Sequence, residues 1–224
     1  MWFQKNVDKL YVASERLFNE ARKRAGTPEE NIVRSGLPIR HEFAVQKEKL
    51  GDRTSDGGKL YQREIRETLG LSPDKSVVLI MGGGEGVGSL SDIVDETYTE
   101  MTRKGVDGTI CVVCGRNEKL RTQLSERKWD EVASAKRKGS RRKKIKNFFK
   151  KVRRSYRIEE SLRKAAEREA LHLPTRKGDV DVVGLGFVNN MAEYMSAADI
   201  LVTKAGPGTI AEAAAVGLPI MLTR

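Results

Sequence analysis

The chain has 224 residues, 38% of them hydrophobic and 33% charged, and a formal net charge of +11. That length is enough for a real core in one large domain or two small ones, and the positive balance points to an anionic partner: nucleic acid, acidic lipid or a phosphorylated substrate. With only Cys111 and Cys114 a disulfide framework is excluded, and no uncharged apolar run approaches the roughly 18 residues of a membrane-spanning helix.

The first residues, Met1-Trp2-Phe3-Gln4-Lys5, carry no basic region followed by an apolar one, so no secretory signal is read there. Residues 7–24 are predicted to form one amphipathic helix, with Leu10, Ala13, Leu17, Phe18 and Ala21 on its apolar side. Pro28 and Glu29 suit a short second turn. Gly36-Leu37-Pro38-Ile39-Arg40 reads as a turn-like exit. Residues 47–59 are polar and contain glycine, which predicts a linker. Residues 60–69 predict a helix that Gly70 terminates from the position after its cap.

From residue 76 the character changes. Val77-Val78-Leu79-Ile80-Met81 is a continuous apolar run, the signature of a strand buried on both faces. A glycine-rich loop, residues 82–88, and a helix over 91–103 follow. A second buried strand is predicted at 109–114 and a helix near 117–125. Beyond a basic segment come strands at 180–185 and 198–203, a short helix at 191–197, a helix at 209–216 stopped by Gly217, and a fifth strand beginning near Leu218. Buried strands alternating with helices predict a parallel α/β sheet, which binds ligands at the carboxyl ends of its strands.

The charge is concentrated. Residues 133–177 hold eighteen Lys/Arg and four Asp/Glu, a balance of +14, so the remaining chain is about −3. The densest stretch, Lys136 to Arg154, repels itself and is expected to be largely disordered or helical. Ile145, Phe148, Phe149 and Val152 recur within it at helical spacing. Three readings stand: a solvated insertion with a helical stretch around 158–171, a basic amphipathic helix on an anionic membrane, or a nucleic-acid-binding segment, the last least favoured.

Three turns at predicted strand ends carry candidate chemistry. Gly82 to Gly88 joins a strand to a helix, where exposed amides favour phosphate; no Gly-Lys-Ser/Thr follows, so it is not a P-loop, and a dinucleotide fold without a clear acidic residue after the second strand, or a tight turn with no ligand, are the alternatives. Gly206-Pro207-Gly208-Thr209 offers the amides after Gly208 to a diphosphate, and Glu212, one turn on, suits two ribose hydroxyls. The alternative for Thr209 and Glu212 is a capping box. Phe187, just after a strand, either flanks a planar base or plugs the core. Cys111 and Cys114 have the spacing of a redox or metal pair, but an offset of three in a strand points to opposite faces, so two buried structural thiols are expected. Neither His41 nor His172 is assigned a catalytic role.

Together, VVLIMGGGEGVGS (77–89), VVCGRNEKL (112–120), GLGFVNNM (184–191) and ADILVTKAGPGTIAEAAAVGLPIML (198–222) closely resemble the monogalactosyldiacylglycerol synthases of plastids. The N-terminal WF…YVASE, the GLPIR segment and the nearby Phe43 are similar to that family too. The resemblance implies a GT-B glycosyltransferase whose Rossmann-like donor half is carried here, truncated at both ends. It implies inverting transfer of galactose from UDP-galactose to diacylglycerol, at the plastid envelope, peripheral to the membrane. It assigns Gly206, Pro207, Gly208 and Thr209 to the diphosphate and Glu212 to the ribose. It sets Phe187 and Val188 beside uracil, and Gly83, Gly84, Glu85 and Gly86 beside the phosphates. No cofactor or metal is implied; the helix terminus stabilises the departing UDP.

The implied organisation is a remnant of an acceptor domain (1–46), a linker (47–59), an incomplete nucleotide-sugar domain (60–132 and 178–224) and the insertion (133–177). The general base is then expected in the missing N-terminal part, so the chain alone should bind nucleotide poorly and catalyse nothing. Transfer to another lipid-linked acceptor, and a non-catalytic basic module, are the competing readings.

Overall fold

The computed structural model describes residue 3 and residues 7–82, 87–134, 176–204 and 206–223. Gly83 to Gly86, the basic stretch Lys136 to Arg154, the expected helix around 158–171 and His172 lie outside the described residues.

The first lobe departs from the single predicted helix. Leu10–Val12 form a strand, β1, paired in parallel with β2 (Ile32–Arg34). Between them run α1 (Glu15–Glu20), one π-helical turn (Ala21–Ala25) and a 3-10 turn (Glu29–Asn31). The helix starts late because Ser14 caps it: its hydroxyl accepts from the Leu17 amide at 3.3 Å. Val12, Ala21 and Ile32 bury against Phe3, Leu10 and Phe18.

The predicted linker is helical at both ends. Helix α2 spans His41–Leu50 and α3 spans Asp56–Thr68, leaving only 51–55 between them. The boundary expected at 46/47 therefore falls inside α2. Its Phe43 and Leu50 are each 1% exposed and share a core with Val77, Leu79 and Met195. Helix α3 ends as predicted: Gly70 takes φ 69°, its N–H bonds the Glu67 carbonyl, and the Leu71 N–H bonds the Arg66 carbonyl.

The rest is an open sheet with helices on both faces. Strands β3 (Ser76–Met81), β4 (Gly108–Val113), β5 (Val180–Leu185), β6 (Ile200–Thr203) and β7 (Ile220–Leu222) are all parallel. Their order is β5-β4-β3-β6-β7. Helices α4 (Val87–Arg103), α5 (Glu118–Ser125), α6 (Trp129–Ser134), α7 (Met191–Ala197) and α8 (Pro207–Ala215) intervene. Helix α6 was not predicted. The two-residue period sends Val77, Leu79, Cys111 and Leu201 to one core, and Val78, Ile80, Ile110, Val112 and Val202 to the other.

Strand β3 pairs with β4 on one side and β6 on the other, so the connection reverses direction between β3 and β6. The crevice outside such a switch point is where open α/β sheets bind ligands. Strands β3 and β6 both end here, at Met81 and Thr203.

The start of β6 is pinned by long side chains from around α3. Arg53 donates to the carbonyls of Met195, Ala198 and Val216, Gln62 to those of Ser196 and Ala198, and Arg66 to that of Ala197. These donors satisfy carbonyls that the ends of α7 and α8 leave without helical partners. Asp199 then accepts from Arg66 at 2.9 Å and from the Val77 amide at 2.7 Å, aligning β6 with β3.

Candidate functional site

Helix α8 opens on the switch point. Gly206 is its N-cap with extended backbone (φ −77°, ψ 126°), and Pro207 is the first helical residue. Proline suits that position because its ring sets φ and no amide is lost from the ladder. The amides of Gly208 and Thr209 follow, in the first turn where intrahelical acceptors are lacking. The predicted capping box is overturned: Thr209 is the third helical residue and not the cap, and the Glu212 carboxylate is engaged elsewhere.

The two glycines are not there for positive φ; neither adopts it. A β-carbon added at Gly208 would meet nothing within 4 Å, and one at Gly206 only the Thr209 hydroxyl at 3.8 Å. Among the described residues, therefore, no neighbour demands glycine at either position. No acidic side chain sits in the first turn, so the positive end of the helix dipole is uncompensated by its own residues.

Glu212 lies on α8 with its side chain 14% exposed. Arg40 grips it with two bonds, Nε to Oε1 at 2.8 Å and Nη2 to Oε2 at 3.1 Å. The hydrogen bond to Glu212 raises the Arg40 guanidinium pKa, against the opposing effect of burial. The same guanidinium stands 5.0 Å from the Phe43 ring centre. Arg40 is the N-cap residue of α2, so the GLPIR exit delivers a cation to the α8 carboxylate.

Phe187 does not plug the core; it is 72% exposed. It lines a cleft of about 560 Å³ with Val188, Asn189 and Asn190 after β5, Glu193 of α7, and Glu42 and Gln46 of α2. Helix α2 packs against both α7 and α8. It therefore spans the two parts of the site, with Arg40 at its start on Glu212 and Gln46 further along in the Phe187 cleft. Arg40, Glu42 and Gln46 are the residues that sequence reasoning missed. The only signal was the GLPIR motif, whose arginine resembles any cation ahead of a helix.

Cys111 and Cys114 fall in opposite cores, and both are free and buried. Burial pushes the Cys111 thiol up to about 12 and raises that of Cys114 as well. These are inert thiols, as the strand offset predicted.

An open parallel sheet with a bare helix mouth and a polar cleft at its carboxyl edge is a Rossmann-like ligand-binding domain. The chain belongs to the glycosyltransferase family 28 C-terminal domain family, whose model matches residues 77–223. Among curated proteins it is similar to "Probable monogalactosyldiacylglycerol synthase 2, chloroplastic" of Oryza sativa subsp. indica, 32% identical over 99% of this chain and 34% of that protein. It is likewise similar to monogalactosyldiacylglycerol synthase 1, chloroplastic, of Arabidopsis thaliana, 30% identical over 99% of this chain and 30% of the relative. The chain thus spans about a third of the length of the curated relatives it matches. Among solved structures, a variant of the wall teichoic acid polymerase TagF superposes with a TM-score of 0.48 at 16% identity, over 96% of this chain and 39% of that one.

Proposed function

We propose that the chain is the donor-binding half of a glycosyltransferase that moves galactose from UDP-galactose to the free hydroxyl of diacylglycerol, with inversion. The observation that carries this reading is the mouth of α8: amides of Gly208 and Thr209 at a switch point, with no described side chain crowding Gly208 and Glu212 one turn further along. Backbone N–H groups and the helix dipole favour a diphosphate there without further cationic residues. The same groups stabilise the charge that builds on UDP as the glycosidic bond breaks. A carboxylate has about four lone-pair sites; the Arg40 fork takes two of Glu212's, and a ribose diol takes the others. Phe187 and Val188 offer an apolar wall to the base. The loop from Gly83 to Gly86 is assigned to the phosphates from its position after β3. The general base and the residues that choose the sugar are assigned to the remainder of the whole protein. The likeness to proteins named as chloroplastic monogalactosyldiacylglycerol synthases supports the choice of galactose, diacylglycerol and the plastid in this reading.

We assign the interdomain boundary to residues 35–40, between the β1–β2 lobe and α2. The test of the activity is a transfer assay on the whole gene product, with labelled UDP-galactose and vesicles containing diacylglycerol. Label should pass to an organic-soluble product with UDP-galactose and fail to pass with the acceptor omitted. Transfer only to a different lipid-linked acceptor would redirect the assignment.

A second element of the reading concerns the basic segment. Its roots lie at the amino edge of the sheet, away from the glycine turns: α6 ends at Ser134, and Lys177, just ahead of β5, pairs with Asp130 of α6 at 2.6 Å. Its helical spacing of Ile145, Phe148, Phe149 and Val152 among cations suits an anionic lipid surface. Binding to phosphatidylglycerol vesicles should fall steeply with salt and vanish on deletion of 136–154. Binding that survives the deletion would contradict this assignment.

A further inference from the structure

Gln46 is a buried amide without a place in the function just described. It is 7% exposed, yet it lines the cleft beside Phe187 and Val188. Its orientation is set from behind: the Tyr61 hydroxyl of α3 donates to its Oε1 at 2.8 Å. With the oxygen committed, the group an amide has left to present is its NH2, a pure donor. Burial raises the Tyr61 pKa, so the phenol remains a proton donor across the neutral range and does not release the amide. A side-chain amide donor on the wall of a cleft favours an occupant with an acceptor at that place.

We propose that Gln46, held by Tyr61, reads the 4-carbonyl of the donor's pyrimidine base and is the residue that distinguishes uracil from cytosine. The inference rests on the reading of this cleft as the base site. Uracil carries a carbonyl acceptor at position 4 and an N–H donor at position 3. Cytosine carries an amino donor at position 4 and a bare acceptor at position 3. An amide N–H donor pairs with the first and meets an amino group in the second. Glu193 completes the match from α7: its carboxylate, fixed by the Asn190 side-chain amide at 2.8 Å, accepts a hydrogen bond and suits the uracil N3–H.

The test is titration of the chain with UDP and with CDP, followed by amide NMR shifts. The native chain should favour UDP. Gln46→Glu keeps the shape and the Tyr61 hydrogen bond but turns the donor into an acceptor. It should shift the UDP-to-CDP ratio towards CDP by about tenfold or more, partly through a gain for CDP that misfolding does not produce. Tyr61→Phe frees the amide to turn and should lower the ratio without abolishing UDP binding. A ratio unchanged in both variants overturns the proposal. Glu212→Gln separates the two levels, because it should weaken UDP and CDP alike. If UDP binds and Glu212→Gln and Phe187→Ala weaken it while Gln46→Glu leaves the ratio alone, only the base-reading role falls. If neither nucleotide binds the whole gene product, the site reading falls with it.

Discussion

Arg40 and Glu212, 172 residues apart in sequence, meet in a two-point ion pair at 2.8 and 3.1 Å. The pair joins the segment that leads out of the first lobe to the helix that opens on the switch point. It also decides which lone pairs of Glu212 remain for a ligand. Its stabilising effect is small, because the Arg40 side chain is 51% exposed and water screens the attraction. A double-mutant cycle of Arg40→Ala and Glu212→Gln, followed by urea unfolding, should give a coupling of about 1 kcal/mol. Strictly additive effects would show that the two side chains do not support each other.

Phe187 should separate stability from binding. A side chain this exposed contributes little to folding, so Phe187→Ala should change stability by no more than about 0.5 kcal/mol. Loss of the aromatic wall should still weaken UDP binding about tenfold, since stacking of a base on an aromatic ring is worth roughly 1–3 kcal/mol. Thermal unfolding and a UDP titration of the variant check both. A destabilised protein with unchanged affinity would return Phe187 to a packing role.

Cys111 predicts how the fold responds to alkali. Its thiol is raised by burial from 9.0 to about 12, so above pH 9 the unfolded chain releases a proton that the folded chain keeps. Stability is then lost as pH rises through that window, and is unaffected by this group below it. By pH 10 the loss from Cys111 should be on the order of 1 kcal/mol. Cys111→Ala should flatten that part of the pH profile while lowering stability at neutral pH through the cavity it leaves. The folded protein should also resist alkylation at both cysteines; fast labelling at neutral pH would contradict the assignment.

Arg53 tests what aligns the switch point. It donates to three backbone carbonyls and its own pKa falls to about 10, chiefly because burial disfavours its charge. Arg53→Met should cost about 3 kcal/mol, because the carbonyls lose their partners. Arg53→Lys should recover only part of that, since an ammonium does not reproduce the planar fork. Denaturant melts of the two variants give the comparison.

The sheet was legible because its signal is local. Five apolar runs between helical patterns can hardly be anything but buried parallel strands, and their limits lie within one or two residues of the predictions. The separation of Cys111 from Cys114 was legible for the same reason. The first lobe was not, since β1 is three residues long and acquires its identity from pairing with β2. Helix α2 was missed because its polar sequence reads as linker, while Phe43 and Leu50 become core only when α7 and α8 pack on them. With α2 went Arg40 and Gln46. The capping reading of Thr209 failed because Pro207 starts the helix two residues earlier.

The central claim is that the mouth of α8 and the Phe187 cleft together form a UDP site. Titrating UDP to millimolar concentration into the labelled chain, followed by amide NMR, tests it most directly. The account predicts saturable shifts at Gly208, Thr209, Glu212 and Val188, all lost or weakened in Glu212→Ala. Shifts confined to the basic segment, or an affinity for UDP that Glu212→Ala leaves untouched, would contradict it.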